Sequence, residues 1–478
     1  MRNLDIDTLV NGILNDVTIT TADSGAEVSS VSVTEAPVST GADVAIFNDV
    51  DSAVQAASAA FSALNTSPIK VRQDIVDAMR ARLADLIPQM AEKACAETGM
   101  GNVPHKIAKN EAALYQTPGT EDLDSRVITG DLGMTLFEYS PYGVVGAICP
   151  STNPTETIMN NAIGMISAGN TVFFSPHPGA KQTSIWLIKI IEQIIFEVSG
   201  IRNVIVSVAN PSFDATKAMM AHPEIPILVV TGGPGIVDMA MKTGKKVIGA
   251  GAGNPPVIVD ETANIRKAAQ DIIKGASFDY NVPCVAEKEV IAVEQIAPQL
   301  LDELEANGAF VVKNQHALER IKSAVIGKDG HVNKELVGKS PATILNVAGI
   351  AFSGEPKLVV VCVANDDPLI KLEQLMPCLP VTTVRDFDAA LALAVEAECG
   401  YLHTAIMHSH NVYRLGQAAK TLRTTIFVKN APSYAALGVE AEGFVTFTIA
   451  TPTGEGTTSA RSFARLRRCV LSEGFNIR

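Results

Sequence analysis

The sequence predicts an α/β protein built from parallel βαβ units, and three observations carry that prediction. Short apolar runs of strand length alternate with longer helical patterns over most of the chain. Glycine-rich turns follow several of the runs. The chain has 478 residues, 47% of them hydrophobic, so it can bury a large core spread over more than one domain without disulfides or metal.

The elements follow in order. Residues 4–17 read LDIDTLVNGILNDV, with Ile6, Leu9, Val10, Ile13, Leu14 and Val17 on one helical stripe and Asp5, Asp7, Asn11 and Asp16 elsewhere. Residues 18–45 are rich in Ser, Thr, Ala and Gly and read as a flexible linker. A short amphipathic helix on such a tether has two readings: a docking peptide for a partner's groove, or a first helix packed on the body of the protein. Its acidic polar face disfavours a membrane surface. From about 50 to 115 the pattern is helical. RVITGDLGMTLFEYS, within about 122–140, reads as a hairpin turning at Gly130-Asp131-Leu132-Gly133. YGVVGAICP is a buried strand, NNAIGMISAGN a helix closed by Gly169-Asn170, and TVFFSP the next strand. NVIVSVA, ILVVTGG, KVIGAGAG and PPVIVD continue the alternation, and KEVIAVE, AFVVK, KLVVVCVA and TAIMHS resume it after residue 285.

Charge and cysteine usage narrow the function. Lys+Arg number 38 against 51 Asp+Glu, a net charge of −13, which excludes a broad nucleic-acid-coating surface. The seven Cys, at 95, 149, 284, 362, 378, 399 and 469, contain no CxxC and have no His-rich partner, so neither a disulfide framework nor a metal site is expected. No run is long and apolar enough for a membrane span, and the N-terminus lacks the features of a secretory signal. The expectation is a cytoplasmic enzyme. TGGPG (231–235), between a strand and a helix, is an anion site for a helix N-terminus or simply a tight turn. Cys284 follows GASFDYNVP, a loop-like stretch, whereas the other cysteines sit mostly in helical or strand-like apolar runs. A thiol on a loop is the better candidate for a nucleophile.

Four segments carry a resemblance. SPYGVVGAICPSTNPTETIMNNAIGMISAGNTVFFSPHPGA, MAHPEIPILVVTGGPGIVDMA and KGASFDYNVPCVAEKEVIAV resemble, in order, the first strand–loop–helix–strand, the second dinucleotide turn and the catalytic-cysteine loop of the aldehyde dehydrogenase superfamily. ATPTGEGTTSARSFARLRRCVL narrows the resemblance to the CoA-acylating aldehyde dehydrogenases of bacterial microcompartments. It covers essentially the whole chain. It implies an aldehyde dehydrogenase-like fold: a Rossmann-type cofactor domain (46–253), an α/β catalytic domain (254–435), a C-terminal segment (436–478) returning to the first, and a bridging β-hairpin for oligomerisation. It further implies NAD-dependent, CoA-acylating oxidation of a short aldehyde through a cysteine thioester. FEYSPYGVVG, GGPGIV and MKTGKKVIGAGAGNPP favour propionaldehyde over acetaldehyde or lactaldehyde.

Residue by residue, the resemblance makes Cys284 the nucleophile and its N–H one oxyanion donor. Asn153, with Thr152 as the alternative, supplies the second. NAD and coenzyme A would meet Pro150, Ser175, Pro176, His177, Pro178, Gly232 and Gly233, and Glu373 would hold the nicotinamide ribose. His177 borders an adenosine or is an ordinary loop histidine. Hydrolytic relatives carry a Glu that activates water where Ala250 stands here, so acyl transfer to CoA is favoured over acid formation; a hydrolytic enzyme is the rival. Leu402-His403 replaces a His pair. Arg461, Arg465, Arg467 and Arg468 suit either a CoA phosphate or a subunit interface. Residues 1–17 become an encapsulation helix docking on shell proteins in a microcompartment lumen. A homo-oligomer, dimer or tetramer, is expected, with no nucleic-acid or membrane partner.

Overall fold

Strands that are apolar without interruption, such as VVGAIC and ILVVT, suit a parallel sheet covered on both faces. The computed structural model bears this out; it describes residues 45–473 and Ile477. The amphipathic segment 4–17 and the linker 18–45, apart from Ala45, lie outside the described residues.

Two parallel sheets dominate. The first has the order β1-β6-β5-β4-β7-β8: β1 (Ile46–Phe47), β6 (Ile205–Val208), β5 (Thr171–Pro176), β4 (Val144–Cys149), β7 (Ile227–Thr231) and β8 (Lys246–Ala250). The second has the order β11-β12-β13-β10-β9-β14-β15: β11 (Ala309–Val312), β12 (Leu358–Cys362), β13 (Cys378–Val384), β10 (Glu289–Val293), β9 (Pro256–Val259), β14 (Thr404–His408) and β15 (Ile426–Lys429). Every run singled out in the sequence is among these strands. β1, β13 and β15 were not foreseen. β13 contains Pro380 inside a centrally placed strand, and a proline ordinarily argues against a central strand.

Helices pack on both faces. Val145, Ala147 and Val229 sit in one core with Ile158, Ile163 and Leu187 of the covering helices; Val257, Ile258 and Ile291 anchor the other with Ile272 and Ala394. Capping residues begin several helices as their chemistry dictates: Asn102 accepts from His105 N–H, and Ser212 from Ala215 N–H.

The hairpin is present as β2 (Arg126–Gly130) and β3 (Gly133–Pro141). Along the whole of β3, β18 (Ala464–Ser472) adds an antiparallel third strand, from Ala464 opposite Pro141 to Ser472 opposite Gly133. Arg461 of the basic cluster is held by Asp122 at 2.6 Å. Arg465 and Arg468 lie over the rings of Tyr142 and Phe137 at 5.1 and 5.4 Å. Arg465, Arg467 and Arg468 lie on β18 and Arg461 on the turn before it, and none of the four lines the cleft described next.

Candidate active site

Sheet order positions the site. From β4 the chain steps outward to β5 and β6, then returns to β7 on the other side of β4. Loops leaving the carboxyl ends of strands at such a switch point diverge and open a crevice. Here they are 150–153 after β4, 177–178 after β5 and 232–235 after β7, and they line a cleft of about 670 Å³. Its other wall comes from the second sheet's side and includes Cys284, Glu373 and Leu375. The cleft thus gathers Pro150, Thr152, Asn153, Ser175, Pro176, His177, Pro178, Gly232, Gly233, Cys284 and Glu373. A larger cavity of about 810 Å³ opens against His105, Phe278, Tyr280 and Tyr434. No thiol is among its lining residues, so the smaller cleft is the candidate site.

Cys284 is half-buried and follows three successive left-handed residues, Asp279, Tyr280 and Asn281 (φ 48°, 53° and 64°). Such backbone is strained in non-glycine residues and persists only where surrounding contacts fix it. Those contacts are buried. Asn281 Nδ2 donates to the Ala276 and Glu287 carbonyls, both at 2.9 Å. The fully buried Lys288 ammonium donates to Asn281 Oδ1 at 2.6 Å and to the Asn281 and Pro283 carbonyls at 3.1 and 3.2 Å. Glu287 accepts from Ser433 N–H and Oγ at 2.9 and 2.6 Å. Gly253 passes so close that a Cβ there would sit 2.9 Å from the Cys284 carbonyl.

Loss of solvation pushes the Cys284 thiol up to about 12, and Glu373 adds to this, while Lys288 and two backbone N–H groups oppose it. Cys149 also lines the cleft but is 1% exposed, and burial pushes its thiol up as well; it is the poorer nucleophile.

Asn153 stands at the N-cap of helix Pro154–Ser167, yet its side chain caps nothing. Its Oδ1 instead accepts from Lys109 Nζ at 2.5 Å, and its Nδ2 donates to Thr152 Oγ1 at 3.3 Å. On the dinucleotide side, Gly233 is the N-cap of helix Pro234–Met241, and again no side chain caps that end. A Cβ on Gly233 would meet open space, whereas one on Gly232 would sit 2.8 Å from Ile236 Cγ2. Ile236 and Val237 N–H already donate to the Gly233 carbonyl and Pro234 has no N–H, so the Gly235 N–H and the helix dipole are what this end offers a pyrophosphate. His177 Nδ1 accepts from Gly179 N–H, fixing the ring at the rim. Ser175 and Thr216 share a hydroxyl hydrogen bond of 2.8 Å.

Glu373 is the one carboxylate among the residues lining the cleft. Its Oε1 accepts from Gly253 N–H at 3.1 Å. Burial raises its pKa, with Lys288 and that N–H opposing. Ala250 is buried at the end of β8, its carbonyl accepting from Gly232 N–H at 3.2 Å.

Sequence reasoning did not single out Lys106, Lys109, Asp279 or Lys288. The signal was there for two of them: Lys106, Lys109, Asn110 and Ala113 fall at i, i+3, i+4 and i+7, so the lysines occupy the buried stripe of helix Val103–Tyr115.

Comparison with known proteins agrees with the geometry. The model of the aldehyde dehydrogenase family matches residues 21–444. The chain is 55% identical to a CoA-propanoylating propanal dehydrogenase of Salmonella typhimurium over 100% of both chains. It is 44% identical to an acetylating acetaldehyde dehydrogenase of Bilophila wadsworthia over 91% of this chain and 92% of that one. Among solved structures, a Rhodopseudomonas palustris propionaldehyde dehydrogenase, with CoA bound and a cysteine acylated, is 49% identical with a TM-score of 0.89, covering 91% of this chain and 99% of that one. A propionaldehyde dehydrogenase from the fucose-utilisation microcompartment of Clostridium phytofermentans is 44% identical with a TM-score of 0.89, covering 91% and 100%.

Proposed function

The chain belongs to the aldehyde dehydrogenase family, and on that premise we propose that it oxidises a short aldehyde, propionaldehyde above all, to its acyl-CoA with NAD⁺ as the electron acceptor. The observation that carries this reading is the meeting in one cleft of a loop-borne thiol, an uncapped helix N-terminus and an amide that caps no helix.

In this reading the Cys284 thiolate adds to the aldehyde carbonyl and forms a thiohemiacetal on the chain. The negative oxygen takes hydrogen bonds from Cys284 N–H and Asn153 Nδ2, with Thr152 as the alternative donor. When bound, NAD⁺ accepts the hydride, and CoA supplies the thiol that carries the acyl group away. The turn at Gly232–Gly233 holds the pyrophosphate, Glu373 the nicotinamide ribose, and Pro150, Ser175, Pro176, His177 and Pro178 the remaining nucleotide surface. Ala250 offers no base to water, and Glu373 is engaged by Gly253 N–H. The thioester on Cys284 therefore waits for a thiol, which ionises without help.

The same reading takes 46–253 as the cofactor half and 254–435 as the catalytic half, with 436–478 returning to the first. It takes the three-stranded sheet, whose Val127, Ile128, Leu466 and Val470 are exposed, as the face that joins subunits into a dimer or tetramer. It assigns residues 1–17 to shell docking and the enzyme to the lumen of a bacterial microcompartment in the cytoplasm.

The test is NADH formation from propionaldehyde and NAD⁺, with and without CoA, for the wild type and Cys284→Ala. CoA-dependent turnover lost in the variant is the expected result. Steady turnover without CoA would mean a hydrolytic enzyme, and turnover retained by the variant would remove Cys284 from the chemistry.

A further inference from the structure

Beneath the cleft lies a fully buried charge cluster that no step above uses. Lys109 Nζ stands 2.6 Å from Asp279 Oδ2 and 3.1 Å from Glu156 Oε1, and all three side chains have no exposed surface. Lys106 Nζ is 3.1 Å from the same Asp279 oxygen and donates to the Thr152 carbonyl at 3.2 Å. Asp279 Oδ1 accepts from Asn102 N–H at 3.0 Å, and Asp279 N–H donates to His105 Nδ1 at 2.8 Å. Two cations and two anions balance, which is the condition for keeping such groups away from water. The cluster reaches the Thr152 backbone through Lys106, but its one polar contact with a side chain of the cleft is Lys109 Nζ to Asn153 Oδ1 at 2.5 Å.

We propose that Lys109 is a positioning residue for the oxyanion site, setting which end of the Asn153 amide faces the substrate. An ammonium carries three donors and no acceptor. The amide oxygen must therefore face Lys109, and the NH₂ end is the one left for a carbonyl oxygen in the cleft. Without that ammonium the amide is free to rotate by half a turn, and the opposite orientation presents an oxygen to a developing negative charge. Asp279 and Glu156 hold the ammonium in place and keep it charged: burial opposes its charge, but the two carboxylates push its pKa above the ordinary value. The Asp279 carboxyl, which burial would raise, is likewise held below its usual range by Lys109 and Lys106.

The inference rests on the assignment of Asn153 as an oxyanion donor, and the experiment separates the two. A double-mutant cycle compares the wild type, Asn153→Ala, Lys109→Met and the double variant, reading the single-turnover burst of NADH. Loss of one oxyanion donor costs about 10²–10³ in rate. Lys109→Met is expected to slow the burst about 10- to 100-fold with KM for aldehyde little changed, and to add less than about threefold in the Asn153→Ala background. Alkylation of Cys284 by iodoacetamide forms no oxyanion, so its rate is expected to stay within about twofold of wild type. A full multiplicative loss in the double variant would overturn the proposal. So would a parallel loss in alkylation, because the effect would then lie in the placement of the thiol. An Asn153→Ala variant with an undiminished burst would instead remove the oxyanion assignment itself. If Lys109→Met does not fold, Lys109→Met/Asp279→Asn carries the same cycle, since it leaves only Lys106 and Glu156 charged.

Discussion

Glu373 accepts the backbone N–H of Gly253 at 3.1 Å, and Gly253 in turn lies so close to Cys284 that a methyl group there would strike the cysteine's carbonyl. The one carboxylate of the cleft lining and the nucleophile are therefore placed by the same stretch of backbone. Glu373→Gln keeps an oxygen for the Gly253 N–H but removes a charge that raises the Cys284 thiol. The thiolate fraction should rise, and alkylation of Cys284 at pH 8 should quicken by up to about tenfold, one pKa unit. In the same variant KM for NAD⁺ should rise if the carboxylate holds the ribose. A more reactive thiol combined with weaker cofactor binding is a split that general misfolding does not produce.

The wild-type thiol, pushed up to about 12, carries little thiolate at neutral pH in the ligand-free cleft. Alkylation should therefore climb steadily from pH 7 to 10, with no plateau near the ordinary thiol value of about 8.5. A plateau below pH 9 would show that the loop solvates or pairs the thiolate more than its burial implies.

Gly275 lies on helix Ile265–Ser277, where alanine would normally stabilise by about 1 kcal/mol. A Cβ there would sit 2.1 Å from Glu287 Oε1. That carboxyl is pinned by Ser433 and cannot swing aside. Overpacking then outweighs propensity, at about 1–3 kcal/mol or more. Gly275→Ala should lower Tm and slow turnover together, because Glu287 is three residues beyond the nucleophile. Differential scanning calorimetry with a kcat measurement checks both.

His408 is buried, its Nδ1 is 3.9 Å from Asp271 Oδ2, and burial depresses its pKa to about 3. A depressed basic group contributes stability that is whole above its unfolded pKa near 6.5 and is lost as pH falls toward 3. By pH 5 the loss is about 2 kcal/mol. The buried Glu192 and Glu287, raised to about 8 and about 7, work in the opposite sense, so the wild-type curve alone does not isolate it. The readout is the difference: relative to wild type, His408→Asn should gain about 2 kcal/mol between pH 7 and pH 5. A constant difference would mean that the ring titrates in the fold as it does in the unfolded chain.

Deleting residues 1–17 should leave kcat and KM unchanged and abolish co-sedimentation with shell proteins. Survival of co-sedimentation would remove the docking role from this segment.

Much of this was legible from local pattern. Strand, glycine turn and loop cysteine are written in consecutive residues, so GVVGAIC, VVTGGPG and the Cys284 loop could be read directly. What was not legible depends on distant partners. The pattern of KIAKNEAAL places Lys109 on the buried stripe of its helix, but its partner Asp279, 170 positions later, cannot be read from that pattern. Lys288 looks like the polar start of a strand until its ammonium is seen to close the loop before Cys284. Pro380 hid β13, because a proline in a short apolar run argues against a strand unless the neighbours on both sides are known.

The pairing of β18 with β3 has a consequence for how the molecule is made. Gly133 finds its partner Ser472 only 339 residues later. At about 5–20 residues per second, the ribosome exposes the hairpin roughly 20–70 s before the strand that covers its edge exists. During that interval β3 offers an open row of hydrogen-bonding groups flanked by apolar side chains, the kind of edge on which nascent chains stick to one another. The pairing of β18 is thus what closes that edge of the hairpin.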